Sequence, residues 1–204
     1  MKTNVYIDGF NLYYGCIKNT PYQWLNIAKM CHLLLPNDNI RKIKYFTALV
    51  KARPNDPEQP LRQQTFLRAL QTIPDLEIIL GTFLSHEITM PLAPPGKGYV
   101  KVIKTEEKGS DVNIATHLLA DGFRDNYELA VIVSNDPDLL EPIKFVTREL
   151  GKPVGLFNPH KNPSIALQSN ALFIKQIRKG VLANSLFPDI LTDAQGTFSK
   201  PTGW

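Results

Sequence analysis

Five apolar residues in succession, Leu129–Val133, lie between two segments whose apolar residues have helical spacing. A continuous run of this kind is typical of a strand that is covered on both faces in a parallel sheet. The helical segments are Ser110–Phe123 before the run and Pro137–Leu150 after it. Because parallel strands need long crossover connections, usually helices, this region predicts a parallel sheet with helices packed on it.

The same alternation of strand and helix signals extends over most of the chain. The other predicted strands are Asn4–Ile7, Ile40–Val50, Leu76–Phe83, Tyr99–Ile103 and Pro153–Phe157, and the other predicted helices are Leu25–Leu35, Leu61–Ile73 and one or two short ones within Asn162–Leu182. This order predicts an α/β fold with a mainly parallel central sheet and helices on both sides. Ligands of such sheets bind beyond the carboxyl ends of the strands.

Length and hydropathy predict one domain. The chain has 204 residues, 43% of them hydrophobic, which is enough for one full core. Residues 1–182 are predicted to form it, whereas residues 183–204 lack a packing pattern, which is typical of a flexible tail. No apolar run approaches the roughly 18 to 20 residues of a membrane span, and Asp8 comes too early for a signal peptide. We therefore expect a soluble, cytoplasmic protein with no membrane partner.

The cysteines and histidines have neither the spacing of a disulfide framework nor that of a zinc site. Cys16 and Cys31 are too few and too far apart for a Cys-x-x-Cys pair, so both are predicted to be free, buried thiols. The four histidines are scattered and form no H-E-x-x-H motif. Any metal ion is therefore expected to be bound by oxygen ligands.

Positive charge is concentrated in the first half of the chain. Residues 1–105 contain 13 basic and 7 acidic side chains, a net charge of +6, whereas the remainder contains 10 and 12, a net charge of −2. Basic surface around an acidic site suits a polyanionic substrate, because the bases neutralise phosphate groups while the acids bind cations. Ordinary variation of surface charge is the alternative explanation.

Asp8 follows the first predicted strand directly and precedes Gly9. Its carboxylate is therefore expected at the carboxyl edge of the sheet, within reach of Asn11 on the first turn of the next helix. The alternative is that Asp8 only forms a turn before a glycine, which is a common arrangement.

Asp136 and Asp138 come directly after the strand Leu129–Val133, which places them at the same edge as Asp8. Taken alone, the two residues are explained as an N-cap and a first-turn acid of a helix that begins at Pro137. Their position beyond a buried strand favours a second role in a shared site.

Asp111 lies at the start of the helix predicted for Ser110–Phe123, with Ser110 as the expected N-cap. The same helix face carries Ala115 and Leu118, which are expected to be buried. A carboxylate at the head of an inward face is costly unless a cation meets it. The alternative is an exposed aspartate at a helix start.

Carboxylates from three separate segments would repel one another at one edge of a sheet. The residues are Asp8, Asp111, Asp136 and Asp138. Mg²⁺ or Mn²⁺ would relieve the repulsion, because both ions prefer oxygen ligands and keep positions open for water and phosphate. The sequence therefore predicts metal-assisted attack of water on phosphorus.

Three motifs carry a resemblance to a known family. They are Tyr6-Ile7-Asp8-Gly9-Phe10-Asn11-Leu12-Tyr13-Tyr14-Gly15, Lys108-Gly109-Ser110-Asp111-Val112 and Ser134-Asn135-Asp136-Pro137-Asp138-Leu139. In this order, over roughly residues 1–180, the chain resembles the NYN domain, specifically its LabA-like branch. The resemblance implies a three-layer α/β/α PIN-like fold, a metal-dependent nuclease site and an RNA substrate.

Matching the motifs position by position assigns the implied catalytic site. Its residues are Asp8, Asn11, Asp111, Asp136 and Asp138, with Ser134 nearby. The third motif of the family often reads Ser-Gly-Asp-x-Asp, and in this sequence Asn135 stands in place of the glycine. A side chain at this position is expected to narrow the access of a substrate to the site.

Basic residues in loops near the predicted site are candidates for nucleic-acid contact. They are Lys51, Arg53, Lys97, Lys101, Lys104 and Lys108, and Asn11, Ser134 and Asn135 are further candidates for substrate contact. A solvated charged surface would produce the same residues. No aromatic-rich stacking motif accompanies them, so base-specific recognition is not predicted.

Other classes of protein remain as alternatives. A Toprim-like domain also has an Asp-x-Asp after a strand, but it opens with Glu where this chain has Asp8. A haloacid-dehalogenase-type phosphatase needs an Asp where Phe10 stands, and no G-x-G-x-x-G motif of a nucleotide-binding Rossmann domain follows the first strand. A non-catalytic RNA-binding or regulatory module that retains a metal site stays open, as does homo-oligomerisation.

Overall fold

The computed structural model describes all 204 residues and contains a seven-stranded sheet and a separate two-stranded hairpin. The strands are β1 Lys2–Asp8, β2 Asn39–Ala48, β3 Leu76–Pro91, β4 Tyr99–Lys108, β5 Leu129–Val133, β6 Val154–Asn158, β7 Phe173–Gln176, β8 Ile190–Asp193 and β9 Gly196–Ser199. The helices are α1 Gly9–Leu12, α2 Ile27–Leu34, α3 Gln59–Gln71, α4 Ser110–Phe123, α5 Leu140–Arg148, α6 Ile165–Gln168 and α7 Lys179–Ala183. A π-helical turn at Tyr13–Ile17 extends α1, and a 3₁₀ turn at Pro137–Leu139 precedes α5.

The sheet has the order β4-β3-β2-β1-β5-β6-β7, and every pairing is parallel except that of β3 with β4. The predicted α/β class with a mainly parallel sheet is confirmed, and the arrangement is consistent with a PIN-like fold. From β1 the chain winds outward in one direction through β2 and β3, and in the other through β5, β6 and β7. The edge between β1 and β5 is therefore the topological switch point, where α/β sheets bind their ligands.

Two hydrophobic cores cover the two faces of the sheet. One lies under α2, α3 and α7 and includes Ile7, Trp24 and Leu70. The other lies under α4 and α5 and includes Ile132 and Leu118. The predicted two-sided covering of β5 is confirmed, since all five of its residues are buried. No helix has both the length and the apolar character that a bilayer-spanning segment requires.

Several predicted elements differ from the structure at their ends. The limits of α4 and β5 match their predictions, whereas β3 and β4 continue well beyond the predicted Leu76–Phe83 and Tyr99–Ile103. Strand β7 lies where only helices were predicted, because it has four residues and no clear alternation. Ser110 is not the N-cap of α4. That position belongs to Gly109, which has the left-handed φ of 100° that glycine tolerates.

The extra length of β3 and β4 forms a two-stranded ribbon. Pairing of β2 with β3 ends at Ala48 and Gly81, and pairing of β3 with β4 begins at the next residue, Thr82, opposite Lys108. Ten residue pairs therefore extend past the carboxyl edge of the sheet, over roughly 30 Å. Because β4 returns along this ribbon, the chain re-enters at the carboxyl edge, and α4 begins there.

The segment 183–204 is packed although its sequence has no packing pattern. Phe187 and Trp204 lie against Trp24, whose ring nitrogen donates to the carbonyl of Pro188 at 2.9 Å. Arg68 of α3 forms a two-pronged ion pair with Asp193, with both N–O distances at 2.7 Å. Single aromatic anchors produce no periodic signal, which explains why the sequence shows none. The domain boundary at residue 182 stays a prediction.

A buried ion pair joins β2 to α4. Lys44 Nζ lies 2.6 Å from Asp121 Oδ2 and 3.1 Å from His117 Nδ1, and the hydroxyl of Tyr6 donates to the same carboxylate oxygen at 2.8 Å. Burial alone would raise the pKa of Asp121, but the hydrogen bonds from Lys44 and Tyr6 outweigh burial and hold the pKa below its usual value.

The two thiols are free, as predicted, with Cys31 buried and Cys16 half-buried. Burial raises the pKa of both thiols to about 12. They are therefore protonated at neutral pH and poorly nucleophilic, so neither thiol is a candidate for catalysis.

Candidate active site

Asp8 ends β1 and caps α1. Its Oδ1 accepts a hydrogen bond from the backbone N–H of Asn11 at 2.9 Å, and its Oδ2 accepts one from the hydroxyl of Ser134 at 3.0 Å. The residue is only 5% exposed. The turn-forming explanation of Asp8 is therefore correct for the backbone, but the bond to Ser134 also joins two neighbouring strands at the switch point.

Gly9 allows this turn because the backbone of β2 passes very close to it. A Cβ at residue 9 would lie 2.7 Å from the carbonyl oxygen of Phe46 and 2.7 Å from the ring of Tyr45. Both distances are shorter than any normal carbon contact, so only glycine fits here. The Asp-Gly pair in the first motif is therefore explained by packing as well as by turn geometry.

Replacement of Gly9 by Ala is expected to destabilise the fold by about 1 to 3 kcal/mol, because a backbone carbonyl cannot move aside without shifting β2. Thermal and urea unfolding measure the effect. The matched control is Gly180→Ala in α7, where a Cβ meets nothing within 4 Å, and Ala in a helix is expected to stabilise by up to about 1 kcal/mol. Equal behaviour of the two variants would contradict the close approach at Gly9.

The loop after β5 brings Asp136 to Asp8 and Asp138 towards Asp111. The Ser134 hydroxyl, which donates to Asp8, also accepts a hydrogen bond from the backbone N–H of Asp136 at 3.1 Å. Asp136 Oδ1 accepts from the N–H of Asp138 at 3.0 Å and caps the 3₁₀ turn that starts at Pro137. The helix-cap explanation of Asp136 is therefore correct, and the same residue lies beside Asp8. Asp138 is exposed.

Asp111 reaches the site from the start of α4, where a second acid, Glu107, accompanies it. Glu107 Oε1 accepts hydrogen bonds from the backbone N–H of Ser110 at 3.1 Å and from its hydroxyl at 2.8 Å. Sequence reasoning missed Glu107, because the capping-box pattern has its acid three residues after the N-cap and Glu107 precedes the helix. Ser134 and Glu107 thus fix the backbone on the two sides of the acidic cluster.

The carboxylates influence one another electrostatically. Burial, with smaller contributions from Asp111 and Asp136, raises the pKa of Asp8 to about 6. Burial also raises the pKa of Asp111, and Asp136, Glu107 and Asp138 add to this effect. None of the four predicted aspartates forms a salt bridge with a basic side chain. The cluster consequently carries repulsion that no basic residue of the chain relieves.

The side chains of this cluster have the chemical character that a divalent cation prefers, but they do not have the geometry of a complete binding site. The donors are carboxylate oxygens without cationic partners, which is the ligand type that Mg²⁺ and Mn²⁺ prefer. However, no three acidic, histidine or cysteine side chains stand close enough together to bind one ion. Asp8 and Asp136 each use an oxygen for capping. The structure thus contains an open group of donors and not a closed coordination shell.

Asn11 connects the first motif to two other loops. Its Oδ1 accepts from the backbone N–H of Asn135 at 2.9 Å and lies 3.1 Å from His160 Nε2. The oxygen accepts both bonds, so Nε2 is the protonated ring nitrogen of His160. Sequence reasoning missed His160 because it lies far from every motif. The Asn11 oxygen is therefore occupied inside the protein, and its amide nitrogen remains for other contacts.

Asn135, at the position where the family often has glycine, links the third motif to the loop after β6. Its Oδ1 accepts from the N–H of Ser164 at 2.7 Å, and its Nδ2 donates to the carbonyl of Asn162 at 3.1 Å. The buried Ser134 hydroxyl likewise donates one hydrogen bond, to Asp8, and accepts one, from Asp136. Both side chains therefore hold loops in place in this structure.

The predicted basic residues are all exposed, but they lie in separate places. Lys97 and Lys101 lie towards the far end of the ribbon, whereas Lys104 and Lys108 lie nearer its base, where both pair with Glu106. Lys51 and Arg53 belong to the loop after β2. None forms an ion pair with the aspartates.

Comparison with known proteins defines the class to which this fold and site belong. A family model of the NYN domain matches residues 2–177, and the chain therefore belongs to the NYN domain family, within the PIN-like nuclease superfamily. The predicted NYN assignment is confirmed. The LabA-like branch stays a prediction.

Two particular proteins are similar to this chain. One is the 6-hydroxy-3-succinoylpyridine 3-monooxygenase HspA of Pseudomonas putida (strain DSM 28022 / S16), which is 27% identical over 236 residues that include all of this chain and 75% of the relative. The other is the crystal structure of a protein of unknown function from Vibrio parahaemolyticus RIMD 2210633, with a TM-score of 0.59 and 18% identity over 91% of this chain and 96% of that one. The second likeness shows the fold alone.

Proposed function

We propose that the protein is a metal-dependent ribonuclease of the LabA-like branch that hydrolyses phosphodiester bonds at the acidic cluster. The observation that supports this proposal is the convergence of aspartates from three chain segments at the switch point with no basic partner. Such a group is stable at neutral pH only if a cation joins it or a proton is bound. Membership in a nuclease superfamily favours the cation.

In this proposal Asp8, Asp111, Asp136 and Asp138 would hold Mg²⁺ or Mn²⁺ partly through water molecules, several of which Mg²⁺ keeps when it binds to proteins. When bound, the cation supplies an activated water at neutral pH and neutralises charge on the reacting phosphate. Ser134 holds the Asp8 carboxylate in one orientation through its 3.0 Å hydrogen bond. Asn11 holds the third motif against the first, and His160 contacts the same Asn11 oxygen from the loop after β6.

The surroundings of the cluster suit a nucleic-acid strand. The ribbon carries Lys104 and Lys108 on one face and Lys101 on the other, and the loop after β2 carries Lys51 and Arg53. A backbone that crosses between them would bring phosphates to the aspartates while the basic side chains neutralise its charge. The absence of stacking motifs favours weak dependence on sequence.

Incubation of the purified protein with single-stranded and structured RNA tests the proposal. Cleavage is expected with Mg²⁺ or Mn²⁺ and is expected to fall at least about a hundredfold with excess EDTA. Asp189→Asn is the control for substitutions of the aspartates in the cluster, because the Asp189 side chain pairs with Lys200 at the surface. This variant is expected to cleave RNA as the wild type does. Cleavage that persists in EDTA would exclude the metal mechanism. RNA binding without cleavage would support a regulatory module.

A second candidate function rests on the relative from Pseudomonas putida, which is named as a 3-monooxygenase of 6-hydroxy-3-succinoylpyridine and whose similarity spans all of this chain. We infer monooxygenase activity on a pyridine-like ring as the alternative. Monooxygenation needs O₂ and a two-electron donor. The measurement is oxygen uptake with 6-hydroxy-3-succinoylpyridine and a reduced nicotinamide, with and without an added flavin. Substrate-dependent uptake would favour this alternative over hydrolysis.

A further inference from the structure

Two segments of the chain contain no acidic residue. Residues 9–37 and 150–188 carry seven Lys or Arg side chains and no Asp or Glu, although the whole chain has 19 acidic residues. The first segment contains α1, the π-helical turn and α2, and the second contains β6, α6, β7 and α7. The acidic residues of the chain are therefore confined to the remaining sequence.

Direct contacts join the two segments. The π-helical turn lies against the loop after β6, since a Cβ at Gly15 would be 2.9 Å from Pro159 Cβ. Helix α2 packs against α7, and the backbone N–H of Asn26 donates to the carbonyl of Ser185 at 2.7 Å. The two segments therefore form one continuous part of the domain, to which neither contributes a negative side chain.

Four exposed basic side chains of these segments lie at the carboxyl edge of the sheet. We call this set the basic edge, and its members are Lys18, Lys161, Arg178 and Lys179. Lys18 follows the π-helical turn, Lys161 lies three residues after β6, and the other two lie two and three residues after β7. None of the four forms an ion pair within the chain.

The basic edge begins beside the acidic cluster. Lys161 directly follows His160, whose Nε2 lies 3.1 Å from Asn11 Oδ1. The backbone N–H of Asn11 in turn donates to Asp8 at 2.9 Å. A strand with a phosphate at the aspartates therefore has the basic edge as a neighbouring surface, on the side of β6 and β7.

Elsewhere around the cluster, acids of the protein accompany the positive charges. Lys104 and Lys108 both pair with Glu106, and residues 51–58, in the loop after β2, contain two basic and two acidic side chains. The cations of the basic edge have no such partners. They therefore suit the phosphate groups of a polyanion, whose binding neutralises the cations and releases counterions.

An exposed aromatic ring lies in the segment between Asp8 and Lys18. Tyr14 belongs to the π-helical turn and is 52% exposed. Lys18 Nζ lies 5.0 Å from the centre of its ring, which is a cation–π contact. Proteins bind single strands with this combination, because a base stacks on the ring while the cations contact phosphates. A duplex has the phosphates but no free base face.

We propose that the basic edge binds the backbone of a single-stranded RNA and that Tyr14 stacks on one of its bases. The strand leaves the acidic cluster over the carboxyl ends of β6 and β7. Stacking accepts every base, so the surface selects an unpaired strand and not a sequence. The identity of the strand as RNA rests on the proposed function, whereas binding to this surface is measured without cleavage.

The cations are tested by fluorescence anisotropy of a short, fluorescein-labelled single-stranded RNA with the full chain in EDTA, between about 50 and 200 mM salt. Lys161→Gln/Arg178→Gln is expected to weaken binding about tenfold at the lower salt. It is also expected to reduce the slope of log K against log salt by about 1.4, because each lost phosphate contact removes about 0.7.

The matched control is Arg41→Gln/Arg124→Gln, which removes two exposed positive charges at the start of β2 and the end of α4. These charges lie at the opposite edge of the sheet, where salt screens them from the strand. The control is therefore expected to change the affinity less than about twofold. Equal weakening by the two double variants would mean attraction by net charge alone and would overturn the proposal.

The ring is tested by Tyr14→Leu, with Tyr14→Phe as its control. Tyr14→Leu is expected to weaken RNA binding about five- to a hundredfold, the usual effect of one stacked base. Its salt slope is expected to equal that of the wild type, because stacking releases no counterions. Tyr14→Phe keeps the ring and is expected to bind as the wild type does. Wild-type affinity of Tyr14→Leu, at an unchanged melting temperature, would overturn the proposal.

Two further ligands distinguish other occupants of the surface. Duplex RNA that binds as tightly as the single strand would overturn the proposal. Binding to phosphatidylserine vesicles that depends on Lys161 and Arg178, without RNA binding, would overturn it in favour of a membrane surface. RNA binding that depends on the basic edge, without cleavage in Mg²⁺, supports this inference and contradicts the proposed function. Cleavage in Mg²⁺ with unchanged RNA affinity of Lys161→Gln/Arg178→Gln contradicts this inference alone.

Discussion

Replacement of Asp8 by Asn is expected to stabilise the metal-free protein by about 2 to 3 kcal/mol at pH 8 while it abolishes RNA cleavage. The pKa of Asp8 is raised to about 6 in the folded state, and it is about 3.9 in an unfolded chain. A raised carboxyl pKa favours the folded state below pH 4, and this contribution is lost as the pH rises through 6. Each unit of pKa difference corresponds to about 1.4 kcal/mol.

Urea unfolding of both proteins in EDTA at pH 4 and pH 8 measures this effect. The two stabilities are expected to be similar at pH 4 and to diverge at pH 8. Asp189→Asn, at a surface ion pair, is expected to change stability by less than about 1 kcal/mol at either pH. With an assumed dissociation constant of about 1 mM, 10 mM Mg²⁺ is expected to stabilise the wild type by about 1.4 kcal/mol, and Asp8→Asn by much less. Equal Mg²⁺ effects would mean that Asp8 binds no cation.

Replacement of Lys44 by Met is expected to destabilise the fold by about 3 to 5 kcal/mol at pH 7, because it leaves the buried Asp121 carboxylate without its cation. The Tyr6 hydroxyl, 2.8 Å away, remains as a partner but carries no charge. Without Lys44 the pKa of Asp121 is no longer held down. Protonation of Asp121 then recovers part of the lost stability. The difference in stability between Lys44→Met and the wild type is therefore expected to shrink as the pH falls from 7 to 5.

The control for this experiment is Lys42→Met on the same strand, since Lys42 forms no ion pair, and it is expected to cost less than about 1 kcal/mol. The double variant Lys44→Met/Asp121→Asn is expected to be more stable than Lys44→Met, because it removes the uncompensated charge. If Lys44→Met loses the same stability at pH 5 and at pH 7, the loss would come from the packing of the lysine stem and not from its charge.

The parts of the fold that the sequence predicts are those with a periodic apolar pattern. The predicted ends of strand β5 and helix α4 match the structure. Burial imposes a continuous apolar run on β5 and helical spacing of apolar residues on α4, and both patterns are visible in the sequence. The predicted strands ended at Phe83 and Ile103 because most residues of the ribbon beyond them are exposed, so no burial pattern marks the rest of β3 and β4. The segment 183–204 is held by single aromatic residues and one ion pair, neither of which produces a period.

The residues of the candidate site likewise divide into those that the sequence predicts and those that it does not. Asp8 and Asp136 were located because they follow apolar strands whose carboxyl ends must share one edge. Glu107 and His160 were missed because their positions depend on the ribbon and on a loop, and local spacing does not reveal long-range contacts. Lys104 and Lys108 were predicted only as contacts of a nucleic acid. Their ion pairs with Glu106 were not predicted, because these pairs depend on the strand geometry.

Two different parts of the fold hold the acidic cluster. Hydrogen bonds through Ser134 set the spacing of Asp8 and Asp136, which follow neighbouring strands of the parallel sheet. Asp111, in contrast, follows the two-stranded ribbon, and Glu107 at the base of the ribbon bonds to Ser110 at the start of α4. The place of Asp111 in the cluster therefore depends on the register of the ribbon, whereas the places of Asp8 and Asp136 depend on the register of the sheet.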